Sequence, residues 1–218
     1  MKRLLLRLVL VLAFASSASA VSFGFDCIAG ASLACGVGEA SLSVNVIDSG
    51  SGTVTLTFSN SDAGTSSVTG IYLDGSRPIA KASNSGGAGT SFKKGGKPKD
   101  LPGGGNVSFH DDFRFTAKKP QPLNGINGGE SLTIELRLKN GVTYADVIAA
   151  LGDGSLRLGL LISDADPNCV GDRMGSECVG DPGVASFVNL PNPVPEPIPA
   201  ILGGVACFGL ALIGRRRH

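Results

Sequence analysis

Leu42-Ser43-Val44-Asn45-Val46 and Val54-Thr55-Leu56-Thr57-Phe58-Ser59, separated by Asp48-Ser49-Gly50-Ser51-Gly52, decide the fold class of this 218-residue chain. In both runs an apolar residue alternates with a small polar one. A period of two sends all the apolar side chains to one side of an extended strand. The Ser/Gly cluster between the runs is a turn, so they are predicted to pair as an antiparallel hairpin with one face buried and one wet.

The same alternation recurs further along. Leu132, Ile134, Leu136 and Leu138 interleave with Thr133, Glu135, Arg137 and Lys139, after a turn-rich stretch at Asn124–Gly129. Leu156, Leu158, Leu160 and Ile162 repeat it, Val68–Leu73 reads as a third strand, and Ser186–Asn189 closes the sheet. One segment departs from the pattern. Thr143 caps a short helix with Asp146 at its third position, Tyr144, Val147, Ile148 and Leu151 share a face, and Gly152 ends it. The expected fold is mainly β: an antiparallel β-sandwich with one short helix plugging an end.

Both ends of the chain read as addresses. Lys2, Arg3 and Arg7 precede an apolar run at Leu8–Ala15 and a small-x-small box at Ala18-Ser19-Ala20. That is the layout of a secretory signal peptide, with cleavage expected after Ala20 by signal peptidase following passage through the Sec machinery. At the other end, Val194-Pro195-Glu196-Pro197 leads into the apolar run Ile198–Ile213, then Gly214 and Arg215-Arg216-Arg217-His218. As a helix this run reaches about 24 Å, a little under the ~30 Å hydrocarbon core. The arginines behind it hold the C-terminus in the cytoplasm and leave everything before Pro195 outside. The organisation is therefore a signal peptide at 1–20, an ectodomain at 21–193 and a tail at 194–218. Within the tail, 194–197 is the box, 198–214 a transmembrane helix and 215–218 the basic cluster.

This tail resembles the PEP-CTERM sorting signal of bacterial exported proteins. Val194-Pro195-Glu196-Pro197 matches its Pro-Glu-Pro box, Ile198–Ile213 its hydrophobic helix and Arg215–Arg217 its terminal basic cluster. The resemblance implies processing near the box by an exosortase, a membrane-embedded, transpeptidase-like cysteine protease. It also implies an inner-membrane intermediate, so that the membrane is at least a transient partner. Delivery to the cell surface or the extracellular polysaccharide matrix follows. Asn124-Gly-Ile-Asn-Gly-Gly-Glu130 and Ser186-Phe187-Val188-Asn189 are loosely similar to domains found in front of such tails. No Leu-Pro-x-Thr-Gly sorting motif is present.

The ectodomain holds 13 of the 19 Lys+Arg and 17 of the 18 Asp+Glu, so its formal charge is 13 − 17 = −4. An exported domain of that charge disfavours nucleic acid as a partner. Cys207 lies in the apolar tail, which leaves Cys27, Cys35, Cys169 and Cys178 for disulfides in an oxidising compartment. Three pairings are open. The local ones, Cys27 with Cys35 and Cys169 with Cys178, are favoured because short loops close most easily, each adding about 2–3 kcal/mol. Zinc ligation wants two to four residues between cysteines, and these spacings are longer.

Three candidates for chemistry remain. His110, the one histidine of the ectodomain, stands in His110-Asp111-Asp112 without a G-x-S-x-G elbow, so no enzymatic activity and no catalytic residue is assigned. Asp164, Asp166 and Asn168 open like a calcium loop, but Cys169 replaces the required glycine and Gly175 the bidentate glutamate. They stand as a weak calcium site at most, and no other cofactor is expected. Lys93, Lys94, Lys97 and Lys99 form a Gly/Lys-rich stretch, read as a flexible solvated loop and as a candidate contact for acidic exopolysaccharide. The sequence reading is thus a non-enzymatic exported surface or matrix protein, with a polysaccharide- or calcium-binding module as the alternative and an exported hydrolase ranked behind both.

Overall fold

The computed structural model describes residues 20–64, 66–163, 184–189 and 191. In chain order these form β1 (Val21–Phe23), β2 (Phe25–Gly30), α1 (Ser32–Ser41), β3 (Leu42–Gly50), β4 (Thr53–Asn60), β5 (Ser67–Asp74) and β6 (Ile79–Gly86). There follow β7 (Phe92–Lys94), β8 (Phe113–Ala117), β9 (Ser131–Leu138), α2 (Tyr144–Asp153), β10 (Arg157–Ser163) and β11 (Ala185–Asn189). One sheet runs β1-β3-β4-β9-β6 and the other β2-β11-β10-β5-β8-β7, with every strand pairing antiparallel.

The predicted hairpin is present as β3 and β4, with Val44 opposite Phe58 and Val46 opposite Leu56. Its turn runs through left-handed backbone at Gly50, Ser51 and Gly52, with φ of 74°, 52° and 70°. Alternation along β4 and β9 sends Leu56, Phe58, Leu132 and Ile134 inward. Facing them from the second sheet are Ile71, Leu73, Phe115, Leu160 and Phe187, so the two sheets share one continuous core. Each such side chain stabilises the fold by about 1.5–3 kcal/mol when fully buried.

α2 carries the predicted cap in full. The Asp146 N–H donates to Thr143 Oγ1 and the Thr143 N–H donates to Asp146 Oδ2. Val147 and Leu151 are buried in the core, and the Tyr144 hydroxyl donates to the Val46 carbonyl at 3.1 Å. The helix ends two residues later than predicted. Asp153 is its last residue and Gly154, at φ 77°, is the left-handed stop.

Two expectations are corrected. A second helix, α1, occupies Ser32–Ser41, where the sequence predicts a single short helix in the whole domain. It closes the same end of the sandwich as the Ser61–Ser66 connection, bridging β2 of one sheet to β3 of the other, and the Cys27–Cys35 disulfide staples its first turns to β2. The second correction concerns β10, which is buried on both faces, as is β5. The wet face predicted for β10 is covered by the segment between β7 and β8. Among the described residues no helix is long and apolar enough to cross a membrane. The signal peptide with Ala18, the Cys169–Cys178 pair, Asp164, Asp166 and Asn168 lie outside the described residues. So do the box Val194–Pro197, the apolar run 198–214 and Arg215–Arg217.

Candidate functional site

The basic stretch starts on a strand edge. Phe92 buries its ring in the core, and β7 pairs with β8 through Lys93 opposite Thr116 and Lys94 opposite Phe115. This strand is the last of its sheet. Lys93 and Lys94 are exposed, and the Lys94 ammonium sits 5.1 Å from the centre of the Phe113 ring, close enough for a cation–π contact.

Beyond Lys94 the chain does not behave as a solvated loop. It folds back over the outer face of the β2–β7 sheet and builds a second, smaller apolar cluster there. Leu101 and Phe109 from the segment pack on Tyr72 of β5 and Leu161 of β10. The sheet makes room with glycine: a Cβ on Gly159 would stand 2.7 Å from Leu101 Cδ2 and 2.9 Å from Phe109 Cζ. This corrects the expectation of a flexible segment, since a covered apolar cluster fixes the backbone that carries Lys97 and Lys99.

Polar contacts complete the anchoring. The Arg157 guanidinium donates to the carbonyls of Val107 and Ser108, pairs with the Asp74 carboxylate and lies over the Phe109 ring. Arg114 Nη1 donates to the Lys99 carbonyl at 2.8 Å and to Asp111 Oδ2 at 3.0 Å. The Tyr72 hydroxyl donates to the Pro98 carbonyl at 3.4 Å, and its burial pushes the phenol above its ordinary range. Burial likewise pushes the Asp111 carboxyl up; the Arg114 guanidinium opposes this and the nearby Asp100 adds to it. A shallow hollow of about 200 Å³, lined by Lys94, Asp111, Asp112, Phe113 and Arg114, opens beside the lysines.

The four lysines are therefore brought to one region. Lys93 and Lys94 lie on a strand and Lys97 and Lys99 on a fixed segment, all four exposed. His110 is exposed in the same segment, but its two acidic neighbours have structural duties. Asp112 accepts from the backbone N–H groups of Gly75 and Ser76, and Asp111 from Arg114. Ala20, the predicted cleavage position, stands immediately before β1. Among the described residues no group of three or more His, Cys, Asp or Glu is placed to hold a metal ion.

A second concavity lies at the α1 end. It is an open groove of about 500 Å³ lined by Leu33, Gly36, Val37, Ala40, Ser61 and Asp62. Burial works against ionisation of Asp62, but hydrogen bonds from the Ser66 hydroxyl and from the N–H groups of Gly64 and Ser66 outweigh it. They hold the carboxyl below the usual carboxylate range. Sequence reading missed this groove because α1, with two glycines and few large side chains, lacks a strong helical period. Comparison with protein-family models, with curated proteins and with solved structures finds no match to this chain.

Proposed function

We propose that this chain is a non-enzymatic exported protein of the cell surface or extracellular matrix, sorted by its C-terminal tail. The observation that carries the reading is the order of signals in one chain. A cleavable N-terminal signal precedes the ectodomain, and Pro195-Glu196-Pro197, an apolar run and three arginines follow it. The tail's likeness to the PEP-CTERM signal assigns its processing to an exosortase. The described residues support the ectodomain as a passive, stable scaffold. Its core is drawn from Phe23 through Phe187, and Cys27–Cys35 adds a covalent staple suited to an oxidising compartment.

Residues that suggested chemistry act in this reading as structure. Asp111 and Asp112 hold the segment over the second sheet, and His110 stands exposed beside them.

Replacing Pro195 and Glu196 by alanine in the full chain tests the proposal. The variant should remain in the inner-membrane fraction while the unmodified protein reaches the surface. Equal surface delivery of both would refute it.

A further inference from the structure

The two sheets meet along one side where their edge strands β6 and β7 lie together, and Asn84 Nδ2 of β6 donates to the Phe92 carbonyl of β7 at 3.3 Å. Among the described residues, nearly all the positive charge collects on this side. From the β6 side come Arg77, Lys81, Arg137 and Lys139: Lys81 is on β6, Arg137 is its partner on β9, and the Lys139 N–H bonds to Pro78 beside the start of β6. From the β7 side come Lys93, Lys94, Lys97 and Lys99, and the Lys118 N–H bonds to Ser91 at the start of β7, with Lys119 following. With Arg114 of β8, eleven of the twelve cations among the described residues stand on or beside β6 to β9, and Arg157 of β10 is the twelfth.

Carboxylates do not neutralise this side. Among the described residues the only ion pairs are Arg114–Asp111 and Arg157–Asp74, which leaves ten of those eleven cations without an ionic partner. Among the described residues, Asp26 on β2, Glu39 on α1, Asp48 on β3, and Asp146 and Asp153 on α2 are placed away from it. Acidic neighbours of the wall are Glu135, on the outward face of β9, Glu130, whose carboxylate lies against Gly89 between β6 and β7, and Asp100, Asp111 and Asp112 in the anchored segment. Among the described residues the cations are thus gathered along the side where β6, an eight-residue strand of about 26 Å, meets β7.

We infer that the β6–β7 wall binds an acidic polysaccharide lengthwise. A group of exposed cations without ionic partners, on and beside two edge strands that lie together, complements a linear polymer that repeats a negative charge, and the attraction concentrates such a polymer at the surface. The segment from Gly95 to Asp112 is fixed by Leu101, Phe109, Arg114 and Arg157, so Lys97 and Lys99 lose little freedom on binding. Recognition is by charge; the half-exposed Ser83 hydroxyl on β6 is available for a hydrogen bond to sugar. This inference rests on the export reading, which places the wall outside the cell.

Full-length chain in non-ionic detergent, bound to immobilised polygalacturonate with dextran as the uncharged comparison, tests it. Retention on polygalacturonate at about 50 mM salt should vanish at about 1 M, where the screening length falls to about 3 Å, and dextran should retain nothing. Joint replacement of Lys81, Lys93, Lys97 and Arg137 by serine should weaken retention about tenfold or more, while Arg215, Arg216 and Arg217 replaced by serine should leave it unchanged. The milder pair Lys97→Ser with Lys99→Ser should move retention the same way, and an unchanged circular dichroism spectrum separates lost charge from lost fold. Wild-type retention by the wall variants, or none by the unmodified chain at low salt, overturns the inference. Wall-dependent capture on phosphatidylglycerol-coated beads without capture on polygalacturonate overturns it as well, in favour of a lipid surface. Tail cleavage is scored separately on the same cells. A retained tail with polygalacturonate binding defeats only the sorting proposal, and a cleaved tail without binding defeats only this one.

Discussion

Lys81 of β6 and Arg137 of β9 stand directly opposite one another on the outward face of the first sheet, like charge against like charge. Such cross-strand pairs repel and destabilise a sheet by a few tenths of a kcal/mol to about 1 kcal/mol. Glu135 shares that face two residues away but makes no salt bridge to either. A sheet that keeps this pair tolerates a small loss of stability on the side where the other unpaired cations gather.

Lys81→Thr should therefore stabilise the fold slightly, by about 0.3–1 kcal/mol, while weakening polygalacturonate retention. Chemical denaturation followed by circular dichroism measures the first effect and the column assay the second. A variant that is less stable and binds as well as the parent would contradict both halves.

Gly38 of α1 lies against the ring of Phe187, and a Cβ there would stand 2.1 Å from Cζ. Alanine normally favours a helix over glycine by about 1 kcal/mol. Here the ring is wholly buried and has nowhere to go. Gly38→Ala should accordingly destabilise the domain by about 1–3 kcal/mol in denaturant titrations, the sign opposite to propensity.

Arg157 ties Asp74, Val107 and Ser108 together and covers Phe109. Removing it in Arg157→Ala leaves those carbonyls to water and should cost about 1–2 kcal/mol. Its distinctive signature is local: amide exchange should accelerate in 104–109 and at Leu101 while β4 and β9 keep their protection. Arg157→Lys should not restore protection, because one ammonium cannot reproduce the fork.

The Asp62 carboxyl is held below its usual range by Ser66 and by the N–H groups of Gly64 and Ser66. A depressed folded value means the contribution is present at neutral pH and is lost as pH falls through that folded value. The stability difference between the parent and Asp62→Asn should therefore be largest near pH 7 and shrink on acidification below about pH 4. A gap that widened in acid would contradict the assigned hydrogen bonds.

Much of the fold is legible in the chain because β3, β4 and β9 each have one wet face, which writes a clean period of two. Thr143 and Asp146 announced α2 through a local cap that needs no tertiary partner. What the sequence hides depends on distant packing. In β6 only Ile79 and Ala82 are buried, so no alternation appears. α1 sits in place through Gly38 on Phe187 and the Cys27–Cys35 staple, neither of which leaves a periodic trace. The four lysines of the candidate site were visible as a run. That they stand on a fixed surface, joined by Lys81 and Arg137 from a different sheet, follows from the edge-to-edge meeting of β6 and β7, which is a property of strand order.

The intact mass of the protein recovered from the cell surface tests the sorting account most directly. The mass should correspond to a chain that starts at Val21 and ends near Pro195-Glu196-Pro197, lacking both the signal peptide and the apolar run with its arginines. A surface protein whose mass still includes residues 198–218 would contradict the account and make the tail a plain membrane anchor.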